Sequence, residues 1–434
     1  MSADFDVIVV GAGPAGSAAA ITAARAGARV ALVERGPFPG SKNVYGGVVY
    51  GRILDTLVPG WTDEAPIQRW ITRRATMVMT PTQALTVDYR TTAWGEAPYN
   101  GATTFRPDFD AWLAGHAEAA GATLVSSTTV TGLLRDGAGT VHGVRTDRPD
   151  GDLAAPVVIA CDGVNSFLAK EAGLYHHPEA SNFTLGVKEV LALPRAEIER
   201  RFGVRGRDGA DFEVIGCTGA VPGGGFLYTN LESVSVGLVL SVSGLADAGE
   251  RPEAMLARFK AHPAIDPLIT GGELLEYSAH LIPEAGLSMM PELSTAGMLV
   301  AGDAAALCLA AGIWLEGVNF AIGSGAAAGE VAAAAAARGD ASAGALGAYR
   351  ERLEDTFVLR DHRKLAAAPH LVMSERVQQR YPQLVCNLVE SLFTVTNPTP
   401  KTGARTLVRR EAKRAGVRLR DLAGDGWKAL RTFG

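Results

Sequence analysis

The fold of this chain is decided near its start by Asp6-Val-Ile-Val-Val-Gly-Ala-Gly-Pro-Ala-Gly16, an apolar run that leads into three glycines. The apolar run predicts a buried strand, and the alanine-rich segment from Pro14 to Ala26 predicts a helix. A second apolar run from Ala28 to Val33 predicts the next strand and completes a βαβ unit. Glycines between such a strand and helix are typical of a turn that holds the phosphates of a dinucleotide.

Each glycine of this motif has its own physical role. Gly11 permits the tight turn, Gly13 lets the backbone approach the pyrophosphate, and Gly16 allows the helix to pack closely on the strand. The first turn of the helix, which begins with Pro14 and Ala15, offers the free N–H groups of the residues after the proline and a positive dipole to the phosphates. A glycine turn without a nucleotide is the competing interpretation.

The second predicted strand ends in an acidic residue, Glu34, which lies eighteen residues after Gly16. A carboxylate at this position can accept hydrogen bonds from the two hydroxyls of a ribose. Its negative charge argues against a ribose that carries a phosphate. The start of the chain therefore predicts a site for NAD or FAD, which share this pattern.

A second motif, late in the chain, decides between the two cofactors. Gly302-Asp303 follows an apolar strand that begins at Gly297, and Asp303 can accept a hydrogen bond from a ribityl hydroxyl. The sequence Glu316-Gly-Val-Asn319 then opens a long predicted helix, whose N-terminus would stabilise negative charge on a reduced flavin. This order of motifs is usual in glutathione-reductase-like FAD proteins, so we predict FAD. An Asp303 that merely caps the helix is the alternative.

The whole chain predicts an α/β fold with α+β features. A length of 434 residues suggests two or three structural units. We expect a glutathione-reductase-like FAD-binding fold (a parallel sheet in a three-layer ββα arrangement), an antiparallel sheet in a substrate domain, and a helical C-terminal region with a basic tail. The predicted domains are a discontinuous FAD-binding domain at 1–60, 96–180 and 292–340, a substrate- or quinone-side domain at 61–95 and 181–291, and the helical region at 341–434.

Three local predictions lie inside these domains. A helix is expected from Phe109 to Ala120, and the runs Thr123 to Leu133 and Val141 to Thr146 are expected to form paired strands. Between about Asn182 and Leu281, short alternating runs predict the antiparallel sheet. A long helix is expected from about Glu316 to Arg338.

Composition excludes several classes of function. With 20% charged residues and a net charge of −5, nothing predicts nucleic-acid binding. The four cysteines show no CxxC spacing, so no metal site and no ferredoxin-type cluster is predicted. There is no basic, apolar leader and no apolar run of the roughly twenty residues that span a bilayer. We therefore expect a cytoplasmic protein.

The C-terminal tail differs in charge from the rest of the chain. Residues 401–434 contain ten Lys or Arg and three Asp or Glu, so the tail carries +7 and the remainder about −12. Leu419, Leu422, Trp427 and Leu430 recur there at roughly helical spacing. Such a helix suits a partner protein or the inner face of a membrane, although a merely solvated terminal helix is equally compatible.

Several stretches closely resemble the FixC-like flavoproteins, a family related to the electron-transfer flavoprotein–quinone oxidoreductases and, more distantly, to geranylgeranyl reductases. The resemblance runs from the first strand to about Pro400. It is carried by Pro39-Gly-Ser-Lys-Asn-Val44, Tyr228-Thr-Asn230, His262-Pro263, Glu276-Tyr-Ser-Ala-His-Leu-Ile-Pro283, Gly302-Asp-Ala-Ala305 and Glu316-Gly-Val-Asn319.

This resemblance implies FAD, an electron-transfer flavoprotein as donor, a small ferredoxin-like partner and a quinone. The implied function is electron transfer between the donor flavoprotein and the quinone or ferredoxin-like partner. It also implies further FAD contacts beyond the two motifs, at Arg35, Lys42, Asn43, Arg106, Val130, Asp162, Gly163, Gly317, Val318 and Asn319. For Lys42 and Asn43, a plain loop role is an equal alternative.

The catalytic side chain and the acceptor stay open. His280 is a weak candidate for a proton donor, since a lone histidine is more often structural. The segment between Asp303 and Glu316 is apolar here, which departs from the family pattern and favours a stand-alone reductase of an isoprenoid or another apolar metabolite. A flavin-dependent aromatic monooxygenase and a subunit that binds FAD without catalysis are also compatible with the sequence.

Overall fold

The computed structural model describes residues 3–42, 46–175, 178–312 and 314–434. Its strands are β1 Val7–Val10, β2 Val30–Val33, β3 Gly46–Val49, β4 Ile67–Met79, β5 Ala84–Arg90, β6 Ala102–Phe105, β7 Thr123–Val125, β8 Val130–Arg135, β9 Val141–Thr146, β10 Leu153–Ala154, β11 Val157–Ala160, β12 Phe183–Ala192, β13 Asp208–Ile215, β14 Gly223–Thr229, β15 Ser233–Ser241, β16 Glu273–Pro283, β17 Ser294–Thr295, β18 Met298–Val300, β19 Leu309–Ala310 and β20 Leu315–Glu316.

Helices make up most of the remainder. They are α1 Pro14–Arg25, α2 Leu54–Leu57, α3 Trp61–Glu64, α4 Arg106–Ala119, α5 Phe167–Glu171, α6 Arg195–Phe202, α7 Val242–Ala248, α8 Pro252–Lys260, α9 Asp266–Ile269, α10 Val318–Arg338, α11 Ala343–Glu354, α12 Phe357–Lys364, α13 Ala368–Val372, α14 Tyr381–Phe393, α15 Ala404–Arg414 and α16 Leu419–Phe433. Short 3₁₀ turns lie at Gly51–Ile53, Thr92–Gly95, Ala180–Asn182, Gly286–Ser288 and Gly302–Ala305, and a π-helical turn lies at Arg376–Arg380.

The strands that precede the two predicted FAD motifs, the glycine turn after β1 and Gly302-Asp303 after β18, lie in one six-stranded sheet of order β17-β18-β11-β1-β2-β7. Strands β1, β2 and β11 are buried along their whole length, as their unbroken apolar sequences predict. Pairing from β18 across to β7 is parallel. The turns after β1 and β18 therefore meet at the same carboxyl edge of the sheet.

Helices α1 and α10 pack directly on each other beside this sheet, and glycines make that contact close. A Cβ at Gly325 would lie 2.0 Å from the carbonyl oxygen of Ala15, and one at Gly329 would lie 2.3 Å from that of Ala19. Any larger residue would force the helices apart. By length and composition α10 could cross a membrane, yet 61% of its apolar window is buried inside the protein.

The second large sheet has nine strands in the order β16-β12-β15-β14-β13-β4-β6-β3, with β5 also paired to β4. Pairing is antiparallel except between β4 and β13. One face is covered by α6, α8 and α9, which bury apolar side chains such as Phe202, Phe212 and Phe259. The antiparallel sheet predicted between about Asn182 and Leu281 is therefore present, but it also recruits strands from residues 46–105.

Two local predictions need correction. The run Thr123 to Leu133 is not one strand, because Ser127 adopts a positive φ of 52° and turns the chain. Its first part, β7, joins the parallel sheet, and only β8 pairs with β9, in a separate three-stranded sheet. The long helix begins at Val318 rather than Glu316, because Leu315–Glu316 pair with Leu309–Ala310 as a small hairpin.

The region after residue 341 is mostly helical, as predicted, and it packs on both sheets. Cys386 of α14 donates its thiol to the carbonyl oxygen of Val78 on β4. Near the end of the chain, the ring of Phe433 lies 5.8 Å from that of Trp314. The C-terminal helices therefore contact the segment that follows Asp303.

Candidate functional site

The glycine turn after β1 can be built only with glycine. Gly11 has a φ of +98°, and a Cβ there would lie 2.4 Å from the carbonyl oxygen of Cys161. A Cβ at Gly16 would lie 1.8 Å from the carbonyl oxygen of Gly11. Above Gly13, by contrast, the nearest described atom is the Arg106 guanidinium at 3.9 Å from the Cβ position. The turn therefore packs tightly against the protein at Gly11 and Gly16 and leaves room for a ligand at Gly13.

The N-terminus of α1 is suited to an anion. The helix begins with Pro14, and the glycine before it has no side chain with which to cap the free N–H groups. The first turn of the helix carries no acidic residue. Free N–H groups, a positive helix dipole and the nearby Arg106 together fit a pyrophosphate.

Glu34 lies at the end of β2, where the sequence places a ribose acceptor. Its carboxylate is buried and accepts hydrogen bonds from the backbone N–H groups of Ala12, at 3.1 Å, and Gly36, at 2.7 Å. An ionised carboxylate has about four acceptor positions. It can therefore hold the glycine turn in place and still accept from a ribose hydroxyl.

Asp303 and His280 lie within electrostatic range of each other and of Arg106, and Arg35 lies within range of His280, although these residues are far apart in sequence. Burial raises the pKa of Asp303, while His280 and Arg106 oppose that shift. The Arg106 guanidinium is oriented by two hydrogen bonds that it donates to Asp110, at 2.7 and 2.8 Å. The early and late motifs therefore converge at one place.

The N-terminus of α10 completes this edge. Gly317 precedes the helix, and Asn319 is buried and donates its amide to Glu316 at 2.5 Å. The amide oxygen of Asn319 has no hydrogen-bond partner among the described residues. The same holds for the hydroxyl of Tyr175, whose pKa is raised by burial to about 12, with Asp303 adding to the shift. Buried polar atoms of this kind need a partner, which a bound ligand, an ion or a water molecule can supply.

The remaining predicted contacts are more widely spread. Asp162 supports the N-terminus of α5, which Ser166 caps: its carboxylate accepts from the Ser166 hydroxyl at 2.7 Å and the Leu168 N–H at 3.2 Å. Gly163 has a φ of +82° and no described atom within 4 Å of its Cβ position. Val130 begins β8, and the side chains of Arg35 and Lys42 are exposed. Asn43 lies outside the described residues.

The face of the nine-stranded sheet opposite α6, α8 and α9, which we call the site face, carries ionisable side chains, most of which the sequence did not reveal. The register of the sheet aligns Asp211 with Arg74 and Lys188 with Ser278. Residues two apart on a strand point to the same side, so the register also brings Glu213 and His280 onto the site face. His280 itself is exposed; desolvation by the surrounding protein lowers its pKa, and Asp303 opposes this shift.

Two ion clusters lie on the site face. Arg74 donates to Glu213, and its Nε lies 3.6 Å from a carboxylate oxygen of Asp211. At the other end, the buried Nζ of Lys188 lies 3.8 Å from Oε1 of Glu276, and burial lowers the pKa of Lys188 to about 8. The alternation Asp211-Phe-Glu213 indicates two acids on one face of a strand and could have been found in the sequence. Their shared partner, Arg74, could not be identified from the sequence.

Sequence comparison places this chain among the FAD-dependent oxidoreductases. The FAD dependent oxidoreductase family matches residues 6–182, and the ETF-QO/FixC family C-terminal domain matches residues 368–434. The protein FixC of Salmonella typhimurium is 43% identical over 434 residues, covering 99% of both chains. A probable electron transfer flavoprotein-quinone oxidoreductase of Escherichia coli, YdiS, is 40% identical over 98% of both. The chain therefore belongs to the ETF-QO/FixC family, as its motifs predicted.

Solved structures agree on the fold. A geranylgeranyl bacteriochlorophyll reductase-like protein of Thermoplasma acidophilum matches with a TM-score of 0.71 at 20% identity, covering 95% of this chain and 96% of the other. The myxobacterial halogenase CndH matches with a TM-score of 0.67 at 18% identity, covering 99% of this chain and 97% of its own. The predicted fold class and the FAD cofactor are confirmed.

Proposed function

We propose that this FAD-dependent oxidoreductase passes electrons between an electron-transfer flavoprotein and a quinone. The observation that carries the proposal is the full-length similarity to an electron transfer flavoprotein-quinone oxidoreductase, which extends through the C-terminal region. A small ferredoxin-like partner belongs to the same proposal, and it rests on the resemblance to the FixC-like proteins.

The residues that would hold FAD fall into two groups in this proposal. The adenosine and pyrophosphate half would lie on the glycine turn, with Glu34 at the ribose and Arg106 near the phosphates. The flavin half would lie between Asp303, the N-terminus of α10 and the site face. When bound, FAD takes up and releases two electrons. The remaining predicted contacts of this kind are Gly11, Gly13, Pro14, Ala15, Gly16, Arg35, Lys42, Asn43, Val130, Asp162, Gly163, Gly302, Gly317, Val318 and Asn319.

The chain's own side chains orient and shield the cofactor in this arrangement. The positive N-terminal dipoles of α1 and α10 would stabilise the negative charge that the cofactor carries on its pyrophosphate and develops on its reduced flavin. The buried apolar residues that follow Asp303, such as Leu307 and Leu309, would exclude water from the flavin side. Water exclusion strengthens each electrostatic contact within the site.

The apolar segment after Asp303 supports a small, apolar acceptor. Trp314 and Leu315 lie at its end, where the side chain of Leu315 is 46% exposed and Phe433 packs on Trp314. The same observation supports a second candidate function, the reduction of an isoprenoid or similar apolar metabolite. A monooxygenase is supported by fold similarity alone.

Mixing experiments separate these candidates. The FAD-loaded protein is mixed without oxygen with a reduced electron-transfer flavoprotein, and flavin bleaching is followed by absorbance. We expect rapid bleaching, followed by recovery of the oxidised spectrum when a quinone is added. Bleaching by NADPH but not by the flavoprotein would contradict the proposal and favour a stand-alone reductase. NADPH oxidation stimulated by a phenol would favour a monooxygenase, and a flavin that stays reduced with every acceptor would favour a non-catalytic subunit.

We also propose that α16 makes peripheral contact with an anionic membrane. This helix turns apolar side chains outward, with Leu419, Trp427 and Leu430 exposed to 50%, 64% and 68%. The inward side of the same helix buries Asp425, which accepts two hydrogen bonds from Arg376. Exposed apolar groups on a tail of charge +7 suit a surface of acidic lipids.

A further inference from the structure

Asp211 and Glu213 form an acid pair on the site face that the proposed electron transfer does not yet use. They lie two residues apart on β13, and Arg74 of the parallel neighbour β4 reaches both carboxylates. The side chains of Asp211, Glu213 and Arg74 are 8%, 19% and 20% exposed. The pair is therefore shielded from water but retains a route to it through Glu213.

The surroundings leave this pair with more negative charge than they neutralise. Arg74 is shared between the two carboxylates, Tyr50 lies within electrostatic range of all three groups, and Tyr228 on β14 is aligned with Asp211. Glu316 adds a further carboxyl group within electrostatic range of Arg74 and Tyr50. Burial raises the pKa of both Asp211 and Glu213, and Asp211 raises that of Glu213 further. Two carboxylates that share one cation in a desolvated place tend to retain a proton.

An independent observation connects this place with a ligand. Glu316, on the Arg74 side, accepts from the buried Asn319, whose amide oxygen has no hydrogen-bond partner among the described residues. Asn319 belongs to the first turn of α10, where the flavin half of the cofactor is proposed to lie. The acid pair thus adjoins a site in which a buried polar atom is available to a ligand.

We propose that the Asp211–Glu213 pair holds one proton and delivers it to an organic acceptor as that acceptor is reduced. This inference rests on the proposed function and specifies its acceptor. A quinone gains two electrons and two protons, its two C=O groups become C–O–H groups, and two O–H bonds form. One proton can travel with the electrons from the reduced cofactor, so the pair supplies the other and is reprotonated from water. An iron–sulfur acceptor would need no such proton.

The first test measures the proton itself and does not depend on turnover. Infrared spectra of the FAD-loaded protein are recorded across about pH 5 to pH 8, where a retained carboxyl proton is expected to titrate. We expect a titrating C=O band of a protonated carboxyl group that is present in the wild type and missing from Glu213→Gln. The band of Glu284, whose pKa burial also raises to about 7, should persist in both proteins. Asp211→Asn removes the same excess charge as Glu213→Gln and should abolish the same band. The control is Glu189→Gln, on the covered face of the same sheet, where Glu189 is paired with Lys260 at 2.5 Å.

The second test compares two acceptors. The photoreduced protein is mixed with a water-soluble quinone or with ferricenium, which takes one electron and no proton. In Glu213→Gln we expect the quinone rate to fall about a hundredfold, as for loss of a general acid, with a flatter pH profile. The ferricenium rate should stay unchanged in both Glu213→Gln and Glu189→Gln.

Each remaining outcome has a definite meaning. Carboxyl bands that titrate alike in the wild type and in Glu213→Gln would overturn the proposal, and so would a variant that slows both acceptors equally. A wild type that ferricenium reoxidises but quinone does not would contradict the proposed function. In that case the infrared band still decides whether the pair stores a proton.

Discussion

The two large sheets of this protein contribute to the site in different ways. The six-stranded sheet contributes backbone: glycine turns, two helix N-termini and the carboxyl ends of parallel strands. The nine-stranded sheet contributes long ionisable side chains on the site face, which are paired across strands distant in sequence. Backbone groups suit a cofactor that many enzymes share, whereas side chains can vary with the acceptor. Substitutions in the six-stranded sheet should therefore impair folding and FAD binding, and those on the site face should impair reaction with the acceptor.

The largest effect on stability is expected where the backbones of α1 and α10 are in direct contact. Gly325→Ala would place a methyl group 2.0 Å from the carbonyl oxygen of Ala15 and push α10 away from α1. We expect a loss of about 3 kcal/mol in the free energy of unfolding together with weaker FAD binding. Thermal unfolding and the absorbance of bound flavin measure the two effects.

The control for this change is Gly347→Ala, in α11, where no described atom lies within 4 Å of the Cβ position. Replacing an unconstrained helical glycine by alanine should raise stability by about 0.5–1 kcal/mol. Equal stability of the two variants would contradict the close packing of α1 and α10.

A smaller effect, on the affinity for FAD, is expected from Glu34→Gln. The change removes charge from a carboxylate that accepts from Ala12 and Gly36 and, in our proposal, from the ribose. The affinity for FAD should fall about tenfold to a hundredfold, as for loss of a charged hydrogen bond. Titration of the apoprotein with FAD checks this. Glu330→Gln, at an exposed ion pair with Arg352, should leave the affinity unchanged.

A third prediction concerns pH. Burial raises the pKa of Glu284 to about 7, and the nearby Thr184 opposes the shift. The folded protein therefore keeps a proton that the unfolded chain loses near pH ~4.3. Stability should decrease as pH rises from about 4.3 to about 7, and Glu284→Gln should remove about 1–2 kcal/mol of that decrease. Parallel pH profiles of urea unfolding for both proteins would contradict the assignment.

The smallest effect on stability is expected at the exposed apolar side of α16. Trp427→Ser and Leu430→Ser should change the free energy of unfolding by less than about 0.5 kcal/mol. Their partition into anionic vesicles, measured by co-sedimentation, should fall about tenfold. Leu275→Ser, at a leucine that is 61% exposed on the nine-stranded sheet, is the control and should bind vesicles normally. Equal loss in all three would show that membrane contact is not specific to α16.

The same contrast explains what the sequence could predict. The glycine turn, Glu34 and Asp303 belong to short motifs at the ends of apolar strands, so their neighbours in space follow from local sequence. The start of α10 was misplaced by two residues because the hairpin of β19 and β20 competes locally with the helix. Such competition depends on the surrounding fold rather than on helix propensity.

The ion pairs of the site face were beyond local prediction. Arg74 and Glu213 are separated by 139 residues and meet only because β4 and β13 pair in parallel. The sequence suggested an antiparallel sheet and contained no signal of that pairing. Strand order and register are set by long-range packing, so side-chain partners across a mixed sheet could not be derived from periodicity.

A crystal structure of the FAD-loaded protein tests the central claim most directly. We predict the pyrophosphate over Gly13 and the N-terminus of α1, and the flavin ring between Asp303, the first turn of α10 and the site face. An isoalloxazine ring on any other surface, with Asp303 and the site face in contact with solvent alone, would contradict the account.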